Sequence, residues 1–353
     1  MRTPDKTWLW IMLAIVPVVL IIGCPAPKPE PVSTPPETSA APPPPEAGRA
    51  SGIDPATVEV AIVTNAVAPF WDPMKVGMER AAAELGCTAS WQGPAHAQVS
   101  EQKRLLENYV SKGVKGIAVS PLDAPAIKPV IDEMVDDGIH VLCIDSDVPE
   151  SKRYCYIGTN NLEAGKVLGE KAKELLPEGA RCVCFVGTMT AQNAQERVKG
   201  FKEAVAEKQI EVVDIMQDKT DKNTARKNVE DTIQKYRDID ALVGIWSYNL
   251  PAIAEAVKEQ GLHKTIKVIG FDAEPATILG LENGDIDATV VQKPYEFGYQ
   301  AVKILFALAT DDQEALKSLV PDSKLIDTGV DVWTPENVAA EKAKLAELGV
   351  ESS

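Results

Sequence analysis

The feature that most constrains the fold is a regular alternation of short apolar runs with amphipathic stretches, which begins at Thr57. The runs are rich in β-branched residues and apolar at successive positions, as expected for strands covered on both faces. Strands are predicted at Val58–Val63, Thr88–Trp91, Gly116–Val119, Val141–Ile144, Arg181–Val186, Val212–Met216, Ala241–Ile245, Val268–Phe271 and Ala288–Val291. Such alternation indicates parallel sheets with helices on both faces.

Helical periodicity fills the intervals between these strands. Helices are predicted at Met74–Leu85, Glu101–Lys112, Ile127–Asp136, Glu163–Leu175, Glu196–Glu207, Ala225–Lys235, Ala252–Gln260 and Ala276–Glu282. A late helix, Phe297–Ala309, an extended stretch, Leu325–Val332, and a polar helix, Glu336–Leu348, follow. The pattern runs through two comparable halves that break near Gly158–Asn161, after a short predicted strand at Tyr154–Ile157.

We therefore predict two Rossmann-like, doubly wound α/β lobes joined by a hinge of three crossings. The N-terminal lobe is predicted to hold residues 57–159 and 294–324, and the C-terminal lobe residues 160–293 and 325–349. The crossings are expected near Thr159–Asn161, Gln292–Pro294 and Ser323–Leu325.

The N-terminus has the pattern of an export signal. Arg2 and Lys6 precede an apolar run, Trp8–Ile22, and a glycine separates this run from Cys24. The run is shorter than the roughly 20 residues that span a bilayer, although an uncleaved membrane anchor is the alternative. Ile-Ile-Gly-Cys resembles a bacterial lipobox, which implies that residues 1–24 are a lipoprotein signal peptide and that Cys24 is lipidated. We expect a periplasmic or cell-surface protein, anchored to a bacterial membrane through this lipid.

Residues 25–56 are rich in proline, which recurs among Ala, Ser, Thr and Glu. This composition cannot bury enough apolar surface to fold, and it favours extended polyproline conformations. We predict a disordered tether between the lipid anchor and the folded lobes. A ligand for a proline-binding domain is the alternative interpretation.

Charge and cysteine content exclude some partners. The formal net charge is −16, without a Lys/Arg cluster in the predicted lobes, which argues against nucleic acid. Five cysteines besides Cys24 are assigned to strands, where thiols usually act as small buried apolar groups: Cys87, Cys143, Cys155, Cys182 and Cys184. The sequence does not decide whether Cys143 and Cys155 form a disulfide. No His/Cys pair completes a metal site beside Cys182 and Cys184, and we expect neither a metal nor a cofactor.

Ligands of open α/β sheets bind beyond the carboxyl ends of the strands. The candidate ligand-binding residues at those ends are Phe70, Trp71, Ser120, Asp145, Ser146 and Asp147 in the first half, and Arg197, Ser247, Tyr248, Asn249, Asp272 and Gln292 in the second. Carboxylates accept hydroxyl protons, a guanidinium donates a fork of hydrogen bonds, and aromatic faces cover the C–H side of a sugar ring. Together these groups suit a monosaccharide or similar polyol.

Taken singly, these residues have simpler explanations. An Asp at a strand end is often only a helix N-cap, which applies to Asp145 and Asp272. Arg197 alone would fit a surface ion pair. Trp246 precedes the second-half motif, and its side of the sheet stays open. The prediction depends on the joint position of the residues at strand ends.

An enzyme is the main alternative class. The sequence has no Gly-x-Ser-x-Gly, Gly-x-Gly-x-x-Gly or Gly-x-x-x-x-Gly-Lys-Ser/Thr motif, and His96, His140 and His263 are scattered. Asp145 and Asp272 nevertheless leave a glycosidase pair open. A regulator of the lactose-repressor type would need a helix-turn-helix where this chain has its signal and tether. We expect a binding protein and not an enzyme.

Six segments in order resemble the ribose- and galactose-type periplasmic sugar-binding proteins. They are Pro69-Phe70-Trp71, Val141–Asp145, Tyr156–Asn161 with Glu163-Ala164-Gly165, Arg197–Phe201, Val268–Asp272 and Ala288–Gln292. The resemblance covers about residues 57–332. It implies a type I periplasmic binding fold, a monomer, and delivery of a sugar from the cleft to an ABC-type permease. A ligand-binding subunit of a chemosensory or sensor-kinase system stays open.

The chain departs from the ribose-binding pattern at several strand ends. Ala68 and Ser120 stand where that pattern has Asn, and Ser146 stands where it has Arg. Ser247-Tyr248-Asn249 replaces an Asn-Asp pair. These departures leave the identity of the sugar open.

Overall fold

The structure, a computed structural model, describes residues 52–350. Its strands are β1 (Glu59–Val63), β2 (Thr88–Gln92), β3 (Gly116–Val119), β4 (His140–Ile144), β5 (Tyr156–Gly158), β6 (Arg181–Val186), β7 (Glu211–Gln217), β8 (Ala241–Gly244), β9 (Lys267–Phe271), β10 (Ala288–Val291), β11 (Leu325–Asp327) and β12 (Asp331–Trp333). Its α-helices are α1 (Asp72–Leu85), α2 (Val99–Lys112), α3 (Ala124–Asp136), α4 (Asn161–Leu175), α5 (Gln192–Val205), α6 (Lys222–Lys235), α7 (Asn249–Glu259), α8 (Pro275–Asn283), α9 (Pro294–Ala309), α10 (Gln313–Leu319) and α11 (Val338–Glu347).

The strands form two six-stranded sheets, one in each lobe. The first has the order β11-β5-β4-β3-β1-β2 and is parallel throughout. The second has the order β12-β10-β9-β8-β6-β7, and only β12 runs antiparallel to its neighbour. Apolar side chains are buried on both faces of each sheet. The predicted fold class, two doubly wound α/β lobes, is therefore confirmed.

The burial of the central strands explains why the apolar runs predict them. In β1, Val60 pairs with Ala89 on one side and with Gly116 on the other. Every residue of β1 after Glu59 is buried, because helices cover both faces. Parallel strands of this kind favour continuous apolar sequence over alternation.

The chain passes between the lobes at three places. After β5 it enters α4, which packs on α5 of the second lobe, and after β10 it enters α9, which packs on α1 of the first. The third passage differs from the prediction, which gave residues 325–349 to the C-terminal lobe. Leu325 pairs with Tyr156 in the first sheet, so the chain leaves that lobe only after Asp327.

The predicted extended stretch divides because the chain turns between β11 and β12. Thr328 N donates to Gly158 O at 2.8 Å, and Gly329 has a φ of 72°. The β12 strand then joins the second sheet, where Trp333 pairs with Thr289. Each sheet thus gains an edge strand from a segment that reads as continuous in the sequence.

The five cysteines of the described residues are free thiols, so the Cys143–Cys155 disulfide does not form. Instead Cys143 N donates to Cys155 O at 3.0 Å. The assignment of all five to strands is corrected: Cys87 precedes β2 and Cys155 precedes β5. Burial raises the pKa of Cys87 to about 11 and that of Cys155 to about 12. These thiols stay protonated at neutral pH.

The predicted signal peptide, Cys24 and nearly all of the tether lie outside the described residues. At the described end of the tether, Pro55–Thr57 form a short 3₁₀ turn that the Asp54 side chain caps. Within residues 52–350, no helix has the length and apolar character needed to cross a membrane.

Candidate ligand-binding site

A cleft lies between the carboxyl ends of the two sheets. The space between its walls is about 660 Å³, a volume that includes open solvent at the mouth. The lining residues are Asn65, Ala66, Val67, Ala68, Phe70, Trp71, Asp145, Asn193, Arg197, Thr220, Lys222, Trp246, Ser247, Tyr248, Asp272, Glu274 and Gln292. Both lobes therefore contribute polar and aromatic side chains to the walls of one cleft.

Arg197, at the middle of the cleft, has a side chain that is only 1% exposed. It projects from α5, where Nε donates to Asn161 Oδ1 at 2.9 Å and Nη1 donates to Ile245 O at 3.1 Å. Its guanidinium carbon lies 4.5 Å from the centroid of the Phe271 ring. These contacts fix the plane of the guanidinium, which excludes the surface ion-pair explanation.

Close packing of α4 on α5 places this arginine. A β-carbon at Gly165 would stand 2.2 Å from the Arg197 carbonyl oxygen, and one at Gly200 would stand 2.0 Å from that of Leu162. Only residues without a side chain allow the two helices to approach this closely. The Arg-x-x-Gly-Phe segment thus sets both the helix packing and the depth of the guanidinium.

Two carboxylates from different lobes flank the guanidinium. Arg197 Nη2 lies 4.0 Å from Asp145 Oδ1, and Nη1 lies 3.9 Å from Asp272 Oδ2. Both distances exceed a direct hydrogen bond, so the charges attract without closing the space between them. Burial raises the pKa of Asp145, and it raises that of Asp272 to about 6, while the charge of Arg197 opposes both shifts.

Two buried polar atoms of the cleft have no hydrogen-bond partner among residues 52–350: Arg197 Nη2 and Gln292 Oε1. Gln292 Nε2 donates to Asp272 Oδ1 at 3.0 Å, so Oε1 of the same amide points away from Asp272. A buried donor and a buried acceptor left open in this way are costly unless a ligand supplies their partners.

Both carboxylates sit on strained backbone. Asp145 has a φ of 61° and Asp272 a φ of 71°, in the left-handed region that non-glycine residues rarely adopt. Tyr156 Oη donates to Asp145 O at 2.8 Å, and Thr289 Oγ1 donates to Asp272 O at 2.8 Å. Since neither aspartate caps a helix, the N-cap explanation is wrong. Strain held in place by the surroundings is typical of functional sites.

Aromatic rings line both lobes of the cleft. Phe70 and Trp71 follow β1 in a short 3₁₀ turn, with ring centroids 4.8 Å apart in an edge-to-face arrangement. In the other lobe, Trp246 and Tyr248 lie 6.5 Å apart. Trp246, which the sequence does not assign to either side of the sheet, faces the cleft.

Trp246 is linked to the opposite lobe through one side chain. Its Nε1 donates to Asn193 Oδ1 at 3.2 Å, and Asn193 Nδ2 donates to Asp145 Oδ2 at 3.2 Å. Asn193 thus joins an aromatic group of one lobe to a carboxylate of the other. It lies one helical turn before Arg197 on α5, and this spacing could have identified it in the sequence.

The structure brings eight of the twelve predicted residues to the cleft wall: Phe70, Trp71, Asp145, Arg197, Ser247, Tyr248, Asp272 and Gln292. Ser120 does not line it but donates to Asp145 Oδ2 at 2.8 Å, so it orients that carboxylate. Ser146 is buried beside the cleft, and its hydroxyl has no partner among the described residues.

Asp147 and Asn249 are corrections to the predicted site. The Asp147 carboxylate is held by the guanidinium of Arg153, six residues further on, and does not reach the cleft. Asn249 opens α7, where its Oδ1 accepts from Trp246 N at 3.2 Å and its Nδ2 donates to Asp218 Oδ2 at 2.8 Å. Both side chains are occupied by protein partners.

Several lining residues were missed. Thr220 and Lys222 follow β7, and Glu274 stands two residues after Asp272. Ser247 Oγ donates to Glu274 Oε1 at 2.6 Å, and burial raises the pKa of this glutamate. Asn65 and its neighbours form the loop after β1. The strand-end rule, applied to β1 and β7 at full length, would have found most of them.

Two lobes that present fixed polar groups to one cleft define a ligand-binding protein of the two-lobe class. The chain belongs to the periplasmic binding protein family, since residues 60–313 match the family described as periplasmic binding protein domain. The resemblance seen in the sequence is thereby confirmed.

One named relative and two solved structures show which proteins the chain is similar to. The xylose/arabinose-binding protein of Sulfolobus acidocaldarius is 25% identical over 267 residues, which cover 71% of this chain and 65% of that protein, just under two thirds. An ABC transporter solute-binding protein from Burkholderia graminis, solved in complex with D-arabinose, is 31% identical with a TM-score of 0.75, covering 82% of this chain and 99% of that one. A XylFII–LytSN complex is 27% identical with a TM-score of 0.72, covering 79% and 98%.

Proposed function

We propose that this protein captures a neutral monosaccharide or similar polyol between its lobes and delivers it to an ABC-type permease. The observation that carries the proposal is Arg197, held between Asp145 and Asp272 at distances too long for direct hydrogen bonds. Ring hydroxyls placed there would donate to the carboxylates and accept from Nη2, whose protein partners are missing among the described residues. Gln292 Oε1 would accept a further hydroxyl proton.

The aromatic side chains support a sugar over a smaller polar solute. Phe70 and Trp71 come from one lobe and Trp246 and Tyr248 from the other. Such rings cover the C–H faces of a pyranose or furanose, while the polar groups bind its edge. Relatives solved or named as binding arabinose or xylose agree with this class of ligand.

The charges support a neutral ligand. Among the described residues that line the cleft, three buried acids, Asp145, Asp272 and Glu274, stand against one buried guanidinium, that of Arg197. Lys222 lines the cleft but is exposed, so solvent screens its charge. A sugar acid would bring another negative charge against these carboxylates, which is unfavourable in a poorly solvated site.

The division of the site between the lobes supports delivery. A ligand that contacts Asp145 on one side and Arg197 and Asp272 on the other binds the closed form better than the open form. A permease that recognises the closed form would accept only the loaded protein. The signal peptide would export the protein and be removed, and the lipid at Cys24 would then keep the protein at a membrane.

A receptor role is the second candidate. The structural relative solved as a XylFII–LytSN complex supports a ligand-binding subunit that reports to another protein. A secreted glycoside-acting enzyme is a weaker third candidate, since Arg197 stands between the two carboxylates that would have to act.

A thermal-shift screen of the purified lobes tests the binding proposal. Pentoses, hexoses and sugar alcohols are compared with uronic acids, and a ligand of the folded state raises the melting temperature by mass action. We expect stabilisation by one or more neutral sugars and none by uronic acids. No response to any neutral sugar or polyol would overturn the proposal, and hydrolysis of a test glycoside would favour the enzyme.

Uptake in cells tests delivery. A strain that lacks this gene should lose uptake of the labelled sugar, and wild type should restore it whereas Arg197→Ala should not. Normal uptake in the deletion strain, with loss of a transcriptional response to the sugar, would favour the receptor subunit.

A further inference from the structure

One buried carboxylate outside the proposed ligand contacts organises much of the C-terminal-lobe wall. Asp218 directly follows β7 and is only 1% exposed. Its Oδ1 accepts from the Tyr248 hydroxyl and from Thr220 N, the latter at 2.8 Å, and its Oδ2 accepts from Asn249 Nδ2 at 2.8 Å. Tyr248 and Thr220 both line the cleft.

The backbone beside Asp218 is strained. Lys219 and Thr220 have φ values of 56° and 62°, two consecutive left-handed residues that are not glycine. Each such residue costs free energy unless its surroundings hold it. Lys219 N donates to Gly187 O at 2.8 Å, and Thr220 N donates to Asp218. The carboxylate is therefore one of the groups that keep Thr220 at the cleft.

Asn249 extends the same network to the tryptophan. Its Oδ1 accepts from Trp246 N at 3.2 Å, so its two ends connect Asp218 to the backbone of Trp246. Gly187 closes the other side, because a β-carbon there would stand 2.1 Å from the Trp246 ring and 2.9 Å from the Tyr248 hydroxyl. The indole thus packs directly on backbone.

The network has an energetic cost that stability alone does not explain. Among residues 52–350 the partners of the Asp218 carboxylate are hydrogen-bond donors, Tyr248, Asn249 and Thr220, and not a Lys or Arg. A buried carboxylate without a cation is unfavourable. Burial raises the pKa of Asp218 to about 6, and the hydrogen bonds from Tyr248 and Asn249 oppose that shift. A buried carboxylate with a raised pKa at the edge of a cleft is a physical reason to look for a role in the site.

We infer that Asp218 and Asn249 form a positioning pair that sets Thr220, Trp246 and Tyr248 in place before the ligand binds. The inference rests on the proposed function for the nature of the ligand, but the arrangement of the wall does not depend on it. Neither residue lines the cleft, so neither is expected to contact the ligand in this role.

An exchange of the two side chains tests the pair. Asp218→Asn sets an amide NH₂ against that of Asn249, and Asn249→Asp sets two carboxylates against each other. The double variant restores one donor and one acceptor at the contact, and leaves an acceptor for Tyr248, for Thr220 N and for Trp246 N. We expect each single variant to weaken sugar binding by about tenfold or more, roughly 1.4 kcal/mol, and the double variant to recover most of it.

A matched control lies on the same strand. Asp214 on β7 accepts from the Tyr236 hydroxyl at 2.9 Å, away from the cleft. Asp214→Asn should leave sugar affinity unchanged. Equal losses from Asp214→Asn and Asp218→Asn would reduce the effect to general destabilisation and would overturn the inference.

Hydrogen exchange gives a readout that needs no sugar. In the ligand-free protein, amides of residues 217–221 and 246–249 should exchange faster in each single variant and return toward wild type in the double variant. If no sugar binds wild type, the proposed function fails while exchange still tests the pair. Singles that exchange and bind as wild type, or a double no better than either single, would overturn the positioning role.

Discussion

Arg197 and Asp145 belong to different lobes, yet Nη2 of one lies 4.0 Å from Oδ1 of the other in a site almost closed to solvent. Asn193, on the same helix as Arg197, donates to the second carboxylate oxygen at 3.2 Å. The lobes are therefore held close through polar groups that also line the cleft. Opening the cleft must break these contacts. If the proposed ligand binds here, the same side chains would link its binding to lobe closure.

Arg197→Ala should weaken sugar binding by two or more orders of magnitude while the protein stays folded. Truncation removes the donor between Asp145 and Asp272 and leaves buried carboxylates without their cation. The expected loss of binding free energy is on the order of 2–4 kcal/mol. Arg197→Lys should also fail, because an ammonium cannot reproduce the planar fork. Isothermal titration calorimetry measures both, with the exposed Arg104→Ala as control. Near-wild-type affinity in either Arg197 variant would contradict the proposed site.

Sugar affinity should fall in acid. Burial raises the pKa of Asp272 from 3.8 to about 6 in the folded protein, so protonation near that pH removes an acceptor of ligand hydroxyls. Titrations at pH 5, 6 and 7.5 should show weaker binding at the lowest value and a plateau above the transition. Affinity that is flat across this range would mean that the charge of Asp272 does not contribute.

The same group should affect stability in the opposite direction. Between pH 3.8 and about 6 the folded form holds a proton at Asp272 that the unfolded form has lost. The extra proton stabilises the folded form fully at pH values below this window. The free energy of unfolding therefore falls as pH rises through the window. Asp272→Asn should flatten this part of the profile for the ligand-free protein. Asp218 also has a pKa of about 6 and contributes in the same sense, so some slope should remain.

Cys24→Ser should block lipid attachment, because the lipid is joined through the thiol. Metabolic labelling with a fatty acid should mark the wild-type protein and not the variant, which accumulates as an unprocessed precursor. Cys87→Ser, a half-buried thiol of the first lobe, should keep its label. Equal label in wild type and Cys24→Ser would contradict the lipobox.

Removal of residues 25–52 from the soluble protein should leave sugar affinity unchanged, because a proline-rich tether is not expected to contact the lobes. Calorimetric titration of the full-length and shortened proteins measures this. A tenfold loss, about 1.4 kcal/mol, would mean that the segment contacts the cleft or the lobes.

Much of the fold could be predicted because burial leaves a direct mark on central strands. The bounds predicted for β6 and β10 agree with the structure, since both strands are covered on each face. The edge segment Leu325–Val332 was not divided correctly, because strands of three residues carry too little pattern to show which sheet they join. Pairing to β5 and β10 depends on contacts distant in sequence.

The site was predictable to the extent that strand ends mark it. Position at strand ends predicted Asp145, Asp272 and Arg197, and all three lie at the cleft. The sequence does not distinguish Asp147 from Asp145. The difference lies in the left-handed backbone at Asp145 and in Arg153, which holds the next carboxylate. Asn249 was predicted at the site and Trp246 was not assigned to either side of the sheet, but in the structure Trp246 lines the cleft and Asn249 supports it from behind.

The turn between β11 and β12 limits how far the lobes can move apart. These strands sit next to β5 and β10, at one edge of each sheet, where the other two passages also lie. From Asp327 to Asp331 a fully extended chain spans at most about 14 Å. Separation at this edge is thus restricted to short distances, and the opposite edge has to swing. Opening of the cleft is therefore expected to be a rotation about this edge, with its amplitude limited by the length of the connecting segment.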